Sequence, residues 1–242
     1  MRSFEDIKDR IESDGWKPES IGTLSEQTAH RAIKYWISPD PTTHEVRLGG
    51  RIADVFADGR VYEVQTRSFF SIRTKVEALL REYPVTVVYP VVRRRTIHTI
   101  GADGVLGKGR ISPKRHDPSR ILAELHGFAG LVGHPGLDFM TVAFDAAEYR
   151  VASNRDARSP RGRVDLYPRG IPEVGRYAGP ADFAALLPPL PDPFTVKDLG
   201  KALRMSVTDA GRTALFLREA GIAELVGRQG RAFLYRIVAV TL

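Results

Sequence analysis

Three short runs of mixed apolar and polar residues, His44–Leu48, Arg51–Phe56 and Val61–Thr66, are separated by Gly49-Gly50 and Asp58-Gly59. Short runs bounded by such turns predict strands, and Asp-Gly between two apolar runs is a hairpin signal. Helical spacing brackets the three runs. Ala29, Ile33, Trp36 and Ile37 form an apolar stripe ahead of Pro39 and Pro41, and Thr23 with Glu26 has the spacing of a capping box at its start. Ile72, Val76, Leu79, Leu80 and Tyr83 form a second stripe, predicting a helix over Phe70–Tyr83 that Pro84 ends. Val85–Val92 is a nearly unbroken run rich in β-branched residues and predicts a buried strand that stops or bulges at Pro90. A further strand is expected at Thr96–Ile100. Helix, three strands, helix, strand is an α/β order. A short helix over Phe4–Asp14, with Phe4, Ile7 and Ile11 at helical spacing, precedes it.

The pattern downstream is less regular. A helix is expected over Arg120–Val132, capped by Asp117 or Ser119, and a strand over Leu137–Phe144. From Tyr149 to Tyr177, arginines are spread among Ser, Pro and Gly without a clear period until Val164–Tyr167, which predicts an extended basic arm or linker. A short helix at Asp182–Leu187 ends at a proline-rich break. The last fifty residues regain order: a helix over Thr195–Leu203, a turn, a second helix capped by Ser206 or Thr208 and running to Ala220, a stop at Gly221, and two strands, Ile222–Val226 and Ala232–Val238. The expected organisation is a first domain over residues 1–150, an arm over 151–192 and a small domain over 193–242.

The chain has 242 residues, a formal net charge of +7 and no cysteine. Thiolate metal sites, disulfides and cysteine nucleophiles are thereby excluded. No apolar run approaches the roughly 20 residues that a membrane helix needs, and the N-terminus lacks the apolar segment of a signal peptide. A cytoplasmic protein without a membrane partner is expected. Most of the excess charge is arginine, which suits phosphate and equally follows from a GC-rich genome. Gly107-Lys108-Gly109 lacks the spacing and the following Ser or Thr of a phosphate loop. His44, His98, His116, His126 and His134 show no metal-ligand spacing.

The candidate chemistry sits on the hairpin. Side chains two apart on a strand share a face, so Glu63 and Gln65 point together, and the turn can bring Asp54 beside Glu63. Two carboxylates on one polar face can take a hard divalent cation. Glu45, one strand earlier, can face the same side, and His30 and Lys34 follow Glu26 on its helical stripe. The bland alternatives are ordinary surface charges and helix capping.

Asp54, then Glu63-x-Gln65, then a helix beginning near Ser68 resembles the PD-(D/E)XK nuclease superfamily over roughly Leu24–Val92. Ala53 stands where the motif has Pro, and Gln65 where it has Lys. The resemblance implies a restriction-endonuclease-like mixed sheet flanked by helices. It also implies phosphodiester hydrolysis with Mg²⁺ (or Mn²⁺) held by Asp54, Glu63 and the Val64 carbonyl. Glu26 would be an additional acid, Gln65 would orient water, and Lys75 would substitute for the missing Lys from the following helix. Glu63–Ser68, Val88–Val91, Ser112–Arg115 and His134–Gly136 are also similar to segments of uncharacterised bacterial proteins, which implies no activity. Residues from about Pro193 to Val240 resemble a winged helix-turn-helix domain, with Val207–Ala220 as recognition helix and Arg228–Arg231 as wing. Arg67, Arg73, Lys75 and the Arg93–Arg95 run are phosphate-contact candidates in the first domain, and Arg212, Arg218, Arg228 and Arg231 in the second. The expected function is a metal-dependent endonuclease acting on double-stranded DNA, with a homodimer left open. The alternatives are an inactive nuclease-like DNA-binding regulator or a module that binds protein partners.

Overall fold

The computed structural model describes residues 3–9, 28–66, 68–101, 105–151 and 163–238. Its centre is a seven-stranded mixed sheet. Helix α1 (Thr28–Ile37) leads into β1 (His44–Leu48), β2 (Arg51–Ala57) and β3 (Arg60–Val64). These three pair antiparallel in sequence. Helix α2 (Arg73–Leu79) then crosses to β4 (Val85–Ile100), which runs parallel to β3. The expected order of helix, three strands, helix and strand is present. Beyond it, β6 (Leu137–Val151) lies parallel to β4, and β7 (Arg163–Tyr177) closes the sheet antiparallel to β6. The short β5 (Arg110–Ile111) pairs with β4 near Thr96 and Ile97. Thr23, Glu26, Arg67 and most of the stretch 149–162 lie outside the described residues.

Several elements differ from the sequence-based expectation. Val85–Val92 and Thr96–Ile100 form one continuous strand, with a register shift between Val92 and Arg94. Pro90 is tolerated inside it for a geometric reason. Gln65 N–H donates to the Val88 carbonyl (2.8 Å), so the even-numbered peptide groups of β4 face β3, and β3 has ended before Pro90 is reached. The region expected as an arm contains β7, fifteen residues long. Gly170, Ile171 and Pro172 have no partner in the ladder to β6, and Gly170 takes φ +78°, so a bulge breaks the alternation that marks a strand. The expected helix over Arg120–Val132 is a chain of 3₁₀ turns, Pro118–Ala123, Leu125–Gly127 and Ala129–Leu131, with Asp117 accepting the Ser119 amide at its start. A Cβ on Gly127 would come within 2.8 Å of the Phe70 ring. Glycine there lets these turns lie against Phe69–Ile72, itself a 3₁₀ turn where the sequence pattern predicts α-helix.

Both faces of the sheet are covered. One bears Val64, Val88, Met140, Val142 and Phe144, packed under Ala29, Ala32 and Ile33 of α1 and under Phe4 and Ile7. The other bears Val61, Val85, Val87 and Phe139, packed against Val76 and Leu79 of α2 and against the 3₁₀ turns. The C-terminal residues join this second core. They comprise α3 (Pro180–Ala184), α4 (Val196–Ala202), α5 (Val207–Glu219) and the hairpin β8 (Ala223–Gln229) and β9 (Ala232–Ile237). Phe194 makes an isolated bridge to Tyr235 of β9. Thr195 and Ser206 cap α4 and α5 by accepting the Asp198 and Asp209 amides.

A relay of aromatic rings ties the two regions. Phe69 stacks on Phe139, Phe139 meets Phe183 edge-on at 5.6 Å, and Phe183 meets Phe216 of α5 at 5.4 Å. All four are fully buried. Such contacts contribute about 0.5–1.5 kcal/mol each beyond area burial. Phe183→Ala is expected to lower stability by about 3–5 kcal/mol. In urea, wild-type circular dichroism and tryptophan fluorescence should follow one shared transition. Two separated transitions would show that the C-terminal module folds independently of the sheet.

Candidate functional site

The site grows from the end of the β2–β3 ladder. Asp58 and Gly59 both take positive φ (+51° and +71°), as a tight two-residue hairpin turn requires. The ladder registers Ala57 with Arg60, Phe56 with Val61 and Val55 with Tyr62, and stops there. β3 continues alongside β4, so its odd-numbered peptide groups stay paired: Val61 N–H donates to Pro84 O and Gln65 N–H to Val88 O. The Val64 peptide faces the other way, toward a strand that no longer pairs with it. Two side chains take over. Asp54 Oδ2 accepts the Val64 N–H at 2.8 Å, and His30 Nε2 of α1 lies 3.1 Å from the Val64 carbonyl oxygen. The same Nε2 is 3.4 Å from Asp54 Oδ2. Both neighbours are acceptors, so Nε2 carries the hydrogen.

Glu63 adjoins this group and is 3% exposed. Its Oε2 receives Lys75 Nζ of α2 at 2.5 Å, while Oε1 is buried without a hydrogen-bond partner among the described residues. Burial, and then the charge of Asp54, push the Glu63 carboxyl up to about 7 against the pull of Lys75. Burial would raise Asp54 as well. The hydrogen bond and charge of His30, the Val64 amide and Lys75 outweigh it and hold Asp54 below the usual carboxylate range. The two acids therefore share one site with their proton affinities driven apart. Among the described residues, no three or more His, Asp or Glu side chains gather into a metal cluster. What the site offers a cation is two carboxylates and one main-chain carbonyl.

The family described as Domain of unknown function (DUF8091) matches residues 27–174. The chain belongs to this family. The match takes in α1, the Asp54–Glu63 site and nearly all of β7. A protein of Treponema pallidum (strain Nichols), named only as uncharacterized, is similar at 34% identity over 231 residues, which is 90% of this chain and 87% of the relative. That coverage extends beyond residue 174, so the likeness includes part of the C-terminal module. No solved structure matches the chain.

The remaining candidates are distributed unevenly. Gln65 is partly exposed and donates through Nε2 to Ser71 Oγ (3.1 Å), turned toward the chain that follows β3. Arg73 is engaged by Glu77 (2.8 Å) and the Gly127 carbonyl (2.9 Å), which makes it a local tie. Glu45 pairs with Lys34 at 3.0 Å. Arg93 reaches Asp145 and Glu173, and Arg95 reaches buried Glu148. In the C-terminal module, Arg212 and Arg218 are exposed on α5, Arg228 lies 4.4 Å over the Phe233 ring, and Arg231 is exposed at the hairpin tip. No helix among the described residues is long and apolar enough to cross a membrane.

The sequence pattern does not show the pairing of His30 with the Val64 carbonyl; it suggests a phosphate contact or a solvated position for that histidine. The only signal for the pairing is the place of His30 on the α1 stripe. The raised Glu63 carboxyl has a measurable consequence. Between pH 4.5 and 7 the folded protein holds a proton that the unfolded chain releases, so stability falls as pH rises through that window and levels off above it. Glu63→Gln removes this loss. The variant should match wild type near pH 4.5 and exceed it at pH 8 by up to about 3 kcal/mol in urea unfolding. An equal difference at both pH values would show that the carboxyl is not strained by its surroundings.

Proposed function

We propose that this protein is a metal-dependent endonuclease acting on double-stranded DNA, with a restriction-endonuclease-like core and a winged-helix module that helps to engage the duplex. The observation that carries the reading is the meeting of Asp54, Glu63 and the Val64 peptide where β2 and β3 part, with Glu63 Oε1 buried and unpartnered among the described residues. Glu63, whose ionisation is opposed by burial and by the charge of Asp54, suits a cation that would relieve it. Mg²⁺ or Mn²⁺ would be held by Asp54, Glu63 and the Val64 carbonyl, completed by water. When bound, it supplies charge neutralisation at the scissile phosphate and a more acidic water. His30 would release the Val64 carbonyl as that oxygen is given up.

Lys75 fits the part left vacant by Gln65. It approaches Glu63 from α2, and it is the one ammonium bonded to the site's acids among the described residues. From there it would screen the phosphate and orient water, while Gln65 is drawn away by Ser71. For the winged helix, the support is the order of elements: α3, the Phe194 bridge to β9, α4, α5 and the β8–β9 wing. Arg212, Arg218, Arg228 and Arg231 on its outer surface would meet DNA phosphates and groove. Cutting both strands would call on two copies of the site.

One observation favours a second reading, an inactive nuclease-like DNA-binding regulator. The Lys75–Glu63 pair already neutralises the carboxylate that a cation needs. The readings separate in a plasmid-nicking assay with Mg²⁺ or Mn²⁺. On the first, Asp54→Ala and Glu63→Ala abolish cleavage and keep DNA affinity within about twofold, and Lys75→Ala loses about 10²–10³-fold in rate. Wild-type protein that binds DNA but leaves duplex, branched and single-stranded substrates uncut with either metal would establish the second.

A further inference from the structure

The ladder along β4 has a gap. On the side facing β3, pairing ends at Val88, and the next partner is Ser112, whose amide donates to the Arg95 carbonyl (2.9 Å), followed by β5. Between them no pairing to this edge of β4 occurs among the described residues, and Pro90 removes a donor from it. A cavity of about 640 Å³ lies over this edge, lined by Tyr89, Pro90, Val92, Arg95, His116 and Arg120 among others. That is the size of a small-ligand or nucleotide pocket. Thr66 and Ala29 also line it. They are the chain neighbours of Gln65 and His30, so the cavity lies within a few residues of the acidic site along the chain. Thr66 lies about 10 Å along an extended chain from Glu63.

A second cavity, of about 620 Å³, continues it. His116 and Arg120 line both, and Pro113, Lys114, Arg115 and Arg204 complete the second. The segment 113–116 belongs to the loop after β5, whereas Arg204 belongs to the turn between α4 and α5. The passage therefore runs along the seam between the core and the C-terminal module. That seam is held by Arg120 Nη2, 3.6 Å from Asp209 Oδ2. Three acids adjoin the passage: Glu124, which lines the first cavity and accepts the Ser68 amide (2.7 Å), Asp117, which accepts the Ser119 amide, and Asp209, which accepts the Ser206 hydroxyl and meets Arg120. Lys114, Arg115 and Arg204 are exposed and have no ion pair among the described residues. Burial, and then the charges of Arg120, Arg95 and Lys114, lower the His116 imidazole below its ordinary value against the pull of Asp117.

We infer that the two cavities form one channel for a single strand of nucleic acid, whose phosphates lie on Lys114, Arg115, Arg204 and Arg120 and whose path leads to Asp54 and Glu63. Cavities of this size take one strand. A duplex, with a major groove alone about 12 Å wide, stays outside. Lys114, Arg115 and Arg204, without an ion pair among the described residues, and Arg120, which Asp209 shares, supply the electrostatic half of single-strand recognition. The direction of the path rests on the nuclease reading, whereas the channel does not. In that reading, a substrate with a frayed end, flap or displaced strand threads the channel while the module grips adjoining duplex.

The test uses the full chain in EDTA, so that binding is read without cleavage. Fluorescence anisotropy compares labelled dT₁₂ with a twelve-base-pair duplex for wild type, Lys114→Ala/Arg115→Ala and Arg204→Ala. Arg47→Ala, an exposed base on β1 far across the sheet, controls for general loss of charge, and thermal melting confirms folding. Wild type should bind dT₁₂, and the channel substitutions should weaken that binding more than binding of the duplex. The double variant should bind dT₁₂ at least tenfold more weakly, with a log–log salt slope shallower by about 1.4, or about 0.7 for each phosphate left without its cation. Arg204→Ala should weaken binding severalfold, and Arg47→Ala should leave it unchanged. Equal losses in Arg47→Ala and the double variant, or dT₁₂ affinity unchanged in the double variant, would overturn the channel. Single-strand binding that depends on these residues, without any cleavage when Mg²⁺ is added, would leave the channel standing and remove the nuclease.

Discussion

The arrangement depends on the Val64 peptide. Its N–H and C=O face the position that β2 would occupy if the hairpin ladder continued. A buried peptide group without partners costs about as much as a lost hydrogen bond at each end. Asp54 and His30 supply the acceptor and the donor, and in doing so they become neighbours of each other and of Glu63. The acidic site is thus a by-product of main-chain accounting. Where one strand leaves another, side chains must stand in for the missing partner, and the ones recruited here carry charge.

The sheet turns this local event into a position in the whole molecule. Asp54 is tied to α1 through His30 on one side, and Glu63 is tied to α2 through Lys75 on the other, so both layers of the fold meet at one point between β2 and β3. The C-terminal module is fastened to the same face as α2 by the relay from Phe139 through Phe183 to Phe216. Its α5 buries Ala210, Thr213, Ala214, Phe216 and Leu217 and keeps Arg212 and Arg218 exposed. The helix that would read DNA is therefore held in a set relation to the acids.

The sequence disclosed the parts whose physics is local. The Asp58-Gly59 turn, the order from α1 to β4, and the caps Ser206 and Asp117, each one of two candidates, are all settled by a few adjacent residues. What stayed hidden depends on partners distant in sequence. β7 reads as an arm because a Gly-Ile-Pro bulge interrupts its alternation, and only β6 reveals it as a strand. The turns from Pro118 to Leu131 have helical periodicity but pack too tightly against Phe70 for an α-helix. In the site, the approach of Asp54 to Glu63 was legible from the hairpin. The sequence left Gln65 as the residue beside Glu63 and held Lys75 at a distance, but the fold brings Lys75 onto Glu63 and turns Gln65 to Ser71, because the crossing of α2 lies outside any strand pattern.

Pro90 has an effect beyond its own bond. It sits at the stretch of β4 where, among the described residues, one strand partner has departed and the next has not yet arrived, so this interior edge of the sheet has the pairing pattern of a rim. An uncovered rim with its full set of donors invites a stray strand to zip onto it. A ring nitrogen in place of an amide leaves such an intruder one bond short at the point where docking would begin. The notch in the sheet thereby stays a notch, and whatever enters it must be held by side chains and not by backbone.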